Sequence, residues 1–232
     1  MREIVLDTET TGLDPKSGNR IVEIGCVELL NHVPTGAVYH QYINPERDMP
    51  AEAERVHGLS AEFLSGHPVF ADIAEAFVEF VGDSPLVIHN AAFDMGFINA
   101  ELDLIGMTPI DKSRAIDTVT MARRKFPGAQ ASLDALCRRF GIDLTDRQLH
   151  GALLDAQLLA SVYLELLGGR QHGMDLAANA AGKEAQAGNA EAGSSIAASG
   201  RRAPREHAAS SEELARHAEF LGKIKDPIWL RA

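Results

Sequence analysis

The chain has 232 residues, 45% of them hydrophobic and 24% charged, which suits one large domain or one domain plus an appendage. Its 22 Lys and Arg against 33 Asp and Glu give a formal charge of −11, and this excludes a net-basic body that grips nucleic acid by bulk charge. Two cysteines, Cys26 and Cys137, exclude a disulfide scaffold and a thiolate zinc site. No apolar run reaches the roughly 18 residues of a membrane span, and Met1-Arg2-Glu3 leads straight into Ile4-Val5-Leu6 without a signal-peptide core. The expectation is a reducing, cytoplasmic, soluble protein with no membrane attachment.

Glu3–Leu6, Ile21–Leu30 and Ala37–Ile43 read as three strands whose short connections predict an antiparallel meander. Apolar residues at Phe70, Ile73, Ala74, Phe77, Val78 and Val81 have the spacing of a helix. Leu86–Ile88 reads as a short buried strand leading into a helix around Phe93–Ile105, with Asn90 as its N-cap and Phe93 and Phe97 as core residues. Ser132 caps a helix through Phe140 that Gly141 ends, and the last helix of the body runs from about Ala152 to Leu167. A meander followed by alternating helices and strands predicts an α/β fold, a mixed sheet with helices packed on it.

Acidity is confined to the first part of the chain: residues 1–169 carry 13 basic and 25 acidic side chains, residues 170–232 carry 9 and 8. Ala177–Gly200 holds ten alanines, four glycines and one large apolar residue, Ile196. It reads as a flexible linker, since it cannot bury enough surface to offset its ordering entropy. An alanine-rich helix is the alternative, interrupted by Gly182, Gly188 and Gly193. Pattern returns at Ser210–Leu221, where Ser210 or Ser211 caps a helix bearing Leu214, Phe220 and Leu221, and the chain ends in an apolar cluster around Trp229.

Three groups of residues carry chemistry. Asp7 and Glu9 follow Ile4-Val5-Leu6, and residues two apart on a strand face one side, so the pair needs a cation or a proton between its carboxylates. Thr10, Thr11 and Gly12 supply donors as the chain turns. Asp94 falls in the first turn of the helix after Leu86–Ile88, where the helix dipole favours an anion. His150 and Asp155 are five apart, about 140° around an ideal helix. They converge only if His150 lies on a loop before the helix, which the backbone freedom of Gly151 allows. Four carboxylates and a histidine suit metal-assisted phosphodiester hydrolysis with two Mg²⁺ or Mn²⁺. An acidic pocket filled by dications also accepts a phosphate.

Asp7-Thr8-Glu9-Thr10-Thr11-Gly12, Asn90-x-x-Phe93-Asp94 and His150-x4-Asp155 together resemble the three motifs of the DEDD exonucleases, histidine subtype; the tyrosine subtype needs a tyrosine where Gly151 stands. Leu86–Asp94, Ser132–Cys137 and Leu149–Gln157 are similar to the epsilon-type proofreading subunits of bacterial DNA polymerase III. The resemblance covers about residues 2–168. It implies a ribonuclease H-like fold and 3′→5′ removal of mismatched terminal nucleotides from a single-stranded or frayed DNA end. It implies that Asp7, Glu9 and Asp155 hold a first ion, with Asp7 bridging to a second that Asp94 serves through its waters. His150 then deprotonates the attacking water. Glu52 and His57 match residues that contact the terminal nucleotide, with Glu54 a rival for Glu52; composition alone reads Glu52–Gly58 as a turn.

The resemblance extends to the tail. Gln171-His-Gly-Met174-Asp-Leu176 looks like a peptide that docks on the sliding clamp (beta), and 210–232 resembles the segment that binds the polymerase (alpha) subunit, with Trp229 as anchor. The implied organisation is an exonuclease domain at 1–169, a clamp peptide at 170–176, a linker at 177–209 and a polymerase-binding segment at 210–232. A further small core subunit belongs to the implied assembly. The rivals are a stand-alone DEDD exonuclease acting on RNA or short oligonucleotides, and a non-catalytic bridge between clamp and polymerase.

Overall fold

Ile4, Val5 and Leu6 are all fully buried because their strand runs through the middle of a sheet covered on both faces. The computed structural model describes residues 1–145, 149–169 and 210–223. Gln171, Met174, Leu176 and Trp229, together with 170–209 and 224–232, lie outside the described residues, so the clamp peptide, the linker and the end of the tail do too. The chain divides into two units, Met1–Asp175 and Leu176–Ala232.

The sheet has five strands: β1 (Arg2–Thr10), β2 (Ile21–Leu30), β3 (Val33–Tyr42), β4 (Leu86–Ile88) and β5 (Ala115–Asp117), in the order β3-β2-β1-β4-β5. The first three form the expected antiparallel meander, and β4 and β5 add in parallel to β1. β1 is longer than the sequence suggests: Asp7 and Glu9 stand within it, opposite Gly25 and Glu23 of β2, rather than past its end.

Residues of alternate parity on β1 face two separate cores. Ile4 and Leu6 join Phe70 and Phe77 of α3 (Phe70–Val81) and Phe97, Ile98 and Leu102 of α4 (Ala91–Leu104). Val5 joins the other face, made by α5 (Thr118–Lys125), α6 (Leu133–Phe140) and α7 (Ala152–Leu166). Phe70, Phe77 and Phe97 are buried almost completely, each contributing roughly 1.5–3 kcal/mol of apolar burial. Gly25 sets how closely α7 approaches the sheet. A Cβ there would stand 2.2 Å from the Leu153 nitrogen and 2.3 Å from the Ala152 carbonyl carbon, so any side chain displaces the first turn of α7.

Two sequence expectations about local structure need correction. Glu52–Gly58 is not a turn but a helix, α1 (Ala51–His57), closed by Gly58 in the left-handed region at φ 77°. The segment carries helix signals, with acidic residues in the first turn, basic residues in the last and a left-handed glycine after it, but seven residues are few enough to read as a turn. Asn90 occupies the N-cap position of α4 but caps nothing: its φ is 66° and its side chain makes no cap bond. Asp117, at the end of β5, instead ties this turn to α5, accepting the Asn90 N–H at 3.1 Å and the Val119 N–H of its own helix at 3.0 Å. The short α2 (Ala61–Leu64), β5 and α5 were not expected.

In the second unit, α8 (Ser211–Gly222) carries a complete capping box on Ser210, which settles the choice between Ser210 and Ser211. Among the described residues no helix is long and apolar enough to cross a membrane.

Candidate active site

Parallel strands present their carboxyl ends to a crevice, the usual ligand position in such sheets. Here the ends of β1 and β4 and the first turns of α4, α6 and α7 surround a cavity of about 370 Å³. Asp7, Glu9, Asp94, His150 and Asp155 all line it, with His89, Phe93, Ser132, Leu133 and Asp134. Glu9, Asp94 and Asp155 are buried, which is expensive for carboxylates unless they are paired, protonated or bound to a cation.

Each side chain has a structural cause for its position. Asp7 and Glu9 share the α7-facing side of β1. Asp94 sits in the first turn of α4 and reaches across to β1: its Oδ1 accepts the Thr8 N–H at 3.1 Å and the Thr8 hydroxyl at 2.7 Å. Burial outweighs those bonds and pushes its pKa up to about 7. His150 precedes α7, and its Nδ1 lies 3.3 Å from Asp155 Oδ2. The expected convergence of the two is present, but not for the expected reason. Gly151 has φ −150° and ψ 126°, extended backbone open to any residue. The loop is held by α1 instead: the His150 N–H donates to the Val56 carbonyl at 3.1 Å. Leu149 rests over Gly58, where a Cβ would meet Leu149 Cδ1 at 2.6 Å.

Ligand atoms of Glu9, His150 and Asp155 lie within 4.8 Å of one another, a span that one divalent ion can bridge. Two carboxylates and an imidazole with no thiolate are a donor set that fits a divalent cation. Asp7 and Asp94 line the same cavity outside that trio.

Glu52 and His57 line a second cavity of about 370 Å³, together with Val56 and Thr10–Leu13, and Thr8, Glu9 and Phe93 border both cavities. His57 accepts the Leu59 N–H on Nδ1 at 3.0 Å, which places the proton of the neutral ring on Nε2. Burial and the neighbouring His150 lower its pKa and favour that neutral form. Phe93 is therefore more than a core residue. Phe93, Ser132 and Asp134 went unnoticed as lining residues; the signal available was their adjacency to Asp94 and to the start of a capped helix. The hydroxyls expected to serve as donors are engaged in the turn: Thr10 donates to the Gly12 carbonyl at 2.6 Å, and Thr11 accepts the Arg20 N–H at 3.0 Å.

The pKa of Asp94 makes a prediction for the metal-free protein. An acid whose folded pKa is raised stabilises the fold fully below its unfolded value, near 4. That contribution is lost as pH rises toward 7. Asn keeps the oxygen that accepts from Thr8 and cannot ionise. In EDTA, Asp94→Asn should therefore gain melting temperature relative to the native chain between pH 5 and pH 8, by several degrees at about 2–4 °C per kcal/mol. An equal difference at both pH values contradicts the burial argument.

A family model described as exonuclease (RNase_T) matches residues 4–163. The DNA polymerase III subunit epsilon of Rickettsia felis is 51% identical over 227 residues, covering 97% of each chain. The subunit of that name in Escherichia coli K12 is 48% identical over 177 residues, covering 73% of this chain and 72% of that one. Among solved structures, the nuclease domain of 3′hExo, a DEDDh family member bound to rAMP, superimposes with a TM-score of 0.63. It is 18% identical and covers 72% of this chain and 91% of that one, so the likeness is one of fold.

Proposed function

Because this chain belongs to the exonuclease family and, within it, to the DNA polymerase III epsilon subunits, we propose that it removes mismatched 3′-terminal nucleotides from DNA by two-metal phosphodiester hydrolysis. It is a metal-dependent exonuclease by that membership; the substrate, metal count and residue roles are our reading. The observation that carries it is the cavity that gathers four motif carboxylates and His150. Two bound dications supply charge neutralisation for the attacking and leaving oxygens. Asp7, Glu9 and Asp155 would hold them, and Asp94 would act on their waters. His150 takes the proton from the attacking water, held in place by Asp155 and the α1 carbonyl. Glu52 and His57 would contact the terminal nucleotide in the adjoining cavity, where a neutral imidazole offers Nε2–H as a donor.

The test is cleavage of a primer end by the full chain with Mg²⁺ or Mn²⁺. Mismatched termini should be removed faster than paired ones, and single-stranded DNA should be preferred to RNA. Preference for RNA would favour the stand-alone reading, and no cleavage of either would leave only the bridging one.

The same membership supports partners in the cytoplasmic replication assembly: the alpha subunit, bound through 210–232, and the sliding clamp, bound through Gln171, Met174 and Leu176. The linker reading of 177–209 gives a coil with a root-mean-square span of roughly 30 Å, which raises the local nuclease concentration toward the millimolar range. A peptide of residues 208–232 should bind the polymerase subunit, and Trp229→Ala should weaken it by more than about 1 kcal/mol. Gln171→Ala with Met174→Ala should affect only clamp association. If residues 1–169 alone bind the polymerase as tightly as the whole chain, the tether is wrong.

A further inference from the structure

One helix serves two unlike surfaces. Ser132, Leu133 and Asp134, at the start of α6, line the carboxylate cavity; Ala135, Arg138 and Arg139 line a separate groove of about 500 Å³ with Ala129 and Gln130. Asp7, Glu9, Asp94, Asp134 and Asp155 face the first. No carboxylate is among the described residues that line the second. In a body with 25 acidic and 13 basic side chains, five of the basic ones, Arg123, Arg124, Lys125, Arg138 and Arg139, lie on α5 and α6.

These cations are not equally available. The Lys125 ammonium donates to the carbonyls of Glu165 and Leu166 at 2.9 and 2.8 Å and so closes the end of α7. The Arg139 guanidinium lies 4.6 Å from the centre of the Phe126 ring, a stacking that restrains a long side chain without using its N–H donors. Arg138 approaches Asp134 at 3.6 Å, with the two side chains 72% and 40% exposed, a weak pair that phosphate can outcompete.

The geometry points to this groove as a subsite for the phosphodiester backbone of a single DNA strand, upstream of the nucleotide being removed. It rests on the reading that the carboxylate cavity holds the scissile 3′ phosphodiester. Arg138 and Arg139 take phosphate oxygens through their planar donor forks, and Gln130 adds an amide donor. From Ser132 to Arg139 the helix advances about 10 Å at 1.5 Å per residue, or about three stacked nucleotides at roughly 3.4 Å each. A dinucleotide in the cavity falls short of the groove, and a longer strand reaches it. An acidic protein thereby gains strand affinity locally, without a basic body.

The experiment compares the full chain with its R138Q/R139Q and R138K/R139K variants on thymidine dinucleotide and on an oligothymidylate of about twelve residues. R138Q/R139Q should raise KM for the oligomer about tenfold with kcat kept, and leave the dinucleotide unchanged. The slope of log affinity against log salt should shrink by about 1.4, at about 0.7 per phosphate contact on a single strand; the lysine pair should restore it. Fluorescence anisotropy of the labelled oligomer, with Ca²⁺ replacing Mg²⁺, reads binding without cleavage and should weaken in parallel. Unchanged anisotropy and salt slope overturn the subsite, as does an equal loss on the dinucleotide. If the native chain cleaves neither substrate, the exonuclease reading is what fails, and anisotropy alone decides the groove.

Discussion

Asp7→Ala should reduce hydrolysis of a single-stranded oligonucleotide by at least about 10⁴-fold, since groups acting as one catalytic unit lose nearly everything when one is removed. Asp7 stands on the central strand of the sheet, opposite Gly25, and it lines the cavity with Glu9, Asp94 and Asp155. Truncating it removes a ligand proposed to serve both ions and leaves the three aliphatic residues before it packed. The fold should therefore persist. Relief of repulsion among crowded carboxylates should keep or raise the melting temperature measured in EDTA. Nuclease assays with Mg²⁺ and with Mn²⁺, alongside thermal melts, check both halves. Substantial residual cleavage with either metal would sink the assignment.

His150→Ala should lower kcat by about 10²–10⁴-fold, the usual contribution of a positioned general base, with a smaller effect on KM. The fold should tolerate the change. The His150 backbone N–H, not its ring, fastens the loop to the Val56 carbonyl, and its side chain is half exposed. Imidazole must be neutral to accept the proton, so the rate of the native enzyme should climb with pH on the acid side. The variant should lose that ascending limb along with the rate. A mutant that keeps both the turnover and the limb removes His150 from the chemistry, whatever its contact with Asp155.

Much of the scaffold is legible in the residue pattern. The helix over Phe70–Val81, the strand Leu86–Ile88 and the Ser132-capped, Gly141-ended helix all have the predicted bounds. Each carries its own signal: apolar residues at helical spacing, a short aliphatic run, a hydroxyl cap with a left-handed glycine. The five motif residues were legible for a different reason. Their chemistry is distinctive, and Asp7 and Glu9 need only strand alternation to share a side.

The elements missed are short ones. β5 is three residues long and exists because β4 offers its parallel edge. α1 is rich in helix formers and ends on a left-handed Gly58, but at seven residues it is marginal alone and its segment reads as a turn. Asp117 accepts the N–H of Asn90, 27 positions before it in the chain, a pairing that only the adjacency of β4 and β5 creates.

The convergence of the site divides in the same way. Composition, periodicity and motif spacing by themselves determined the class of fold, the central strands, the acidic character of the body and which five residues to look for in one cavity. Tertiary structure alone decided that α7 could begin close against β2, because Gly25 leaves no side chain between them. It also decided that the His150 loop leans on α1 rather than on any freedom of Gly151. The physical reason is distance along the chain. Alternation and helical period act over a few residues, whereas Asp7, Asp94 and Asp155 stand 61 to 148 positions apart and are brought together only by contacts between separate elements.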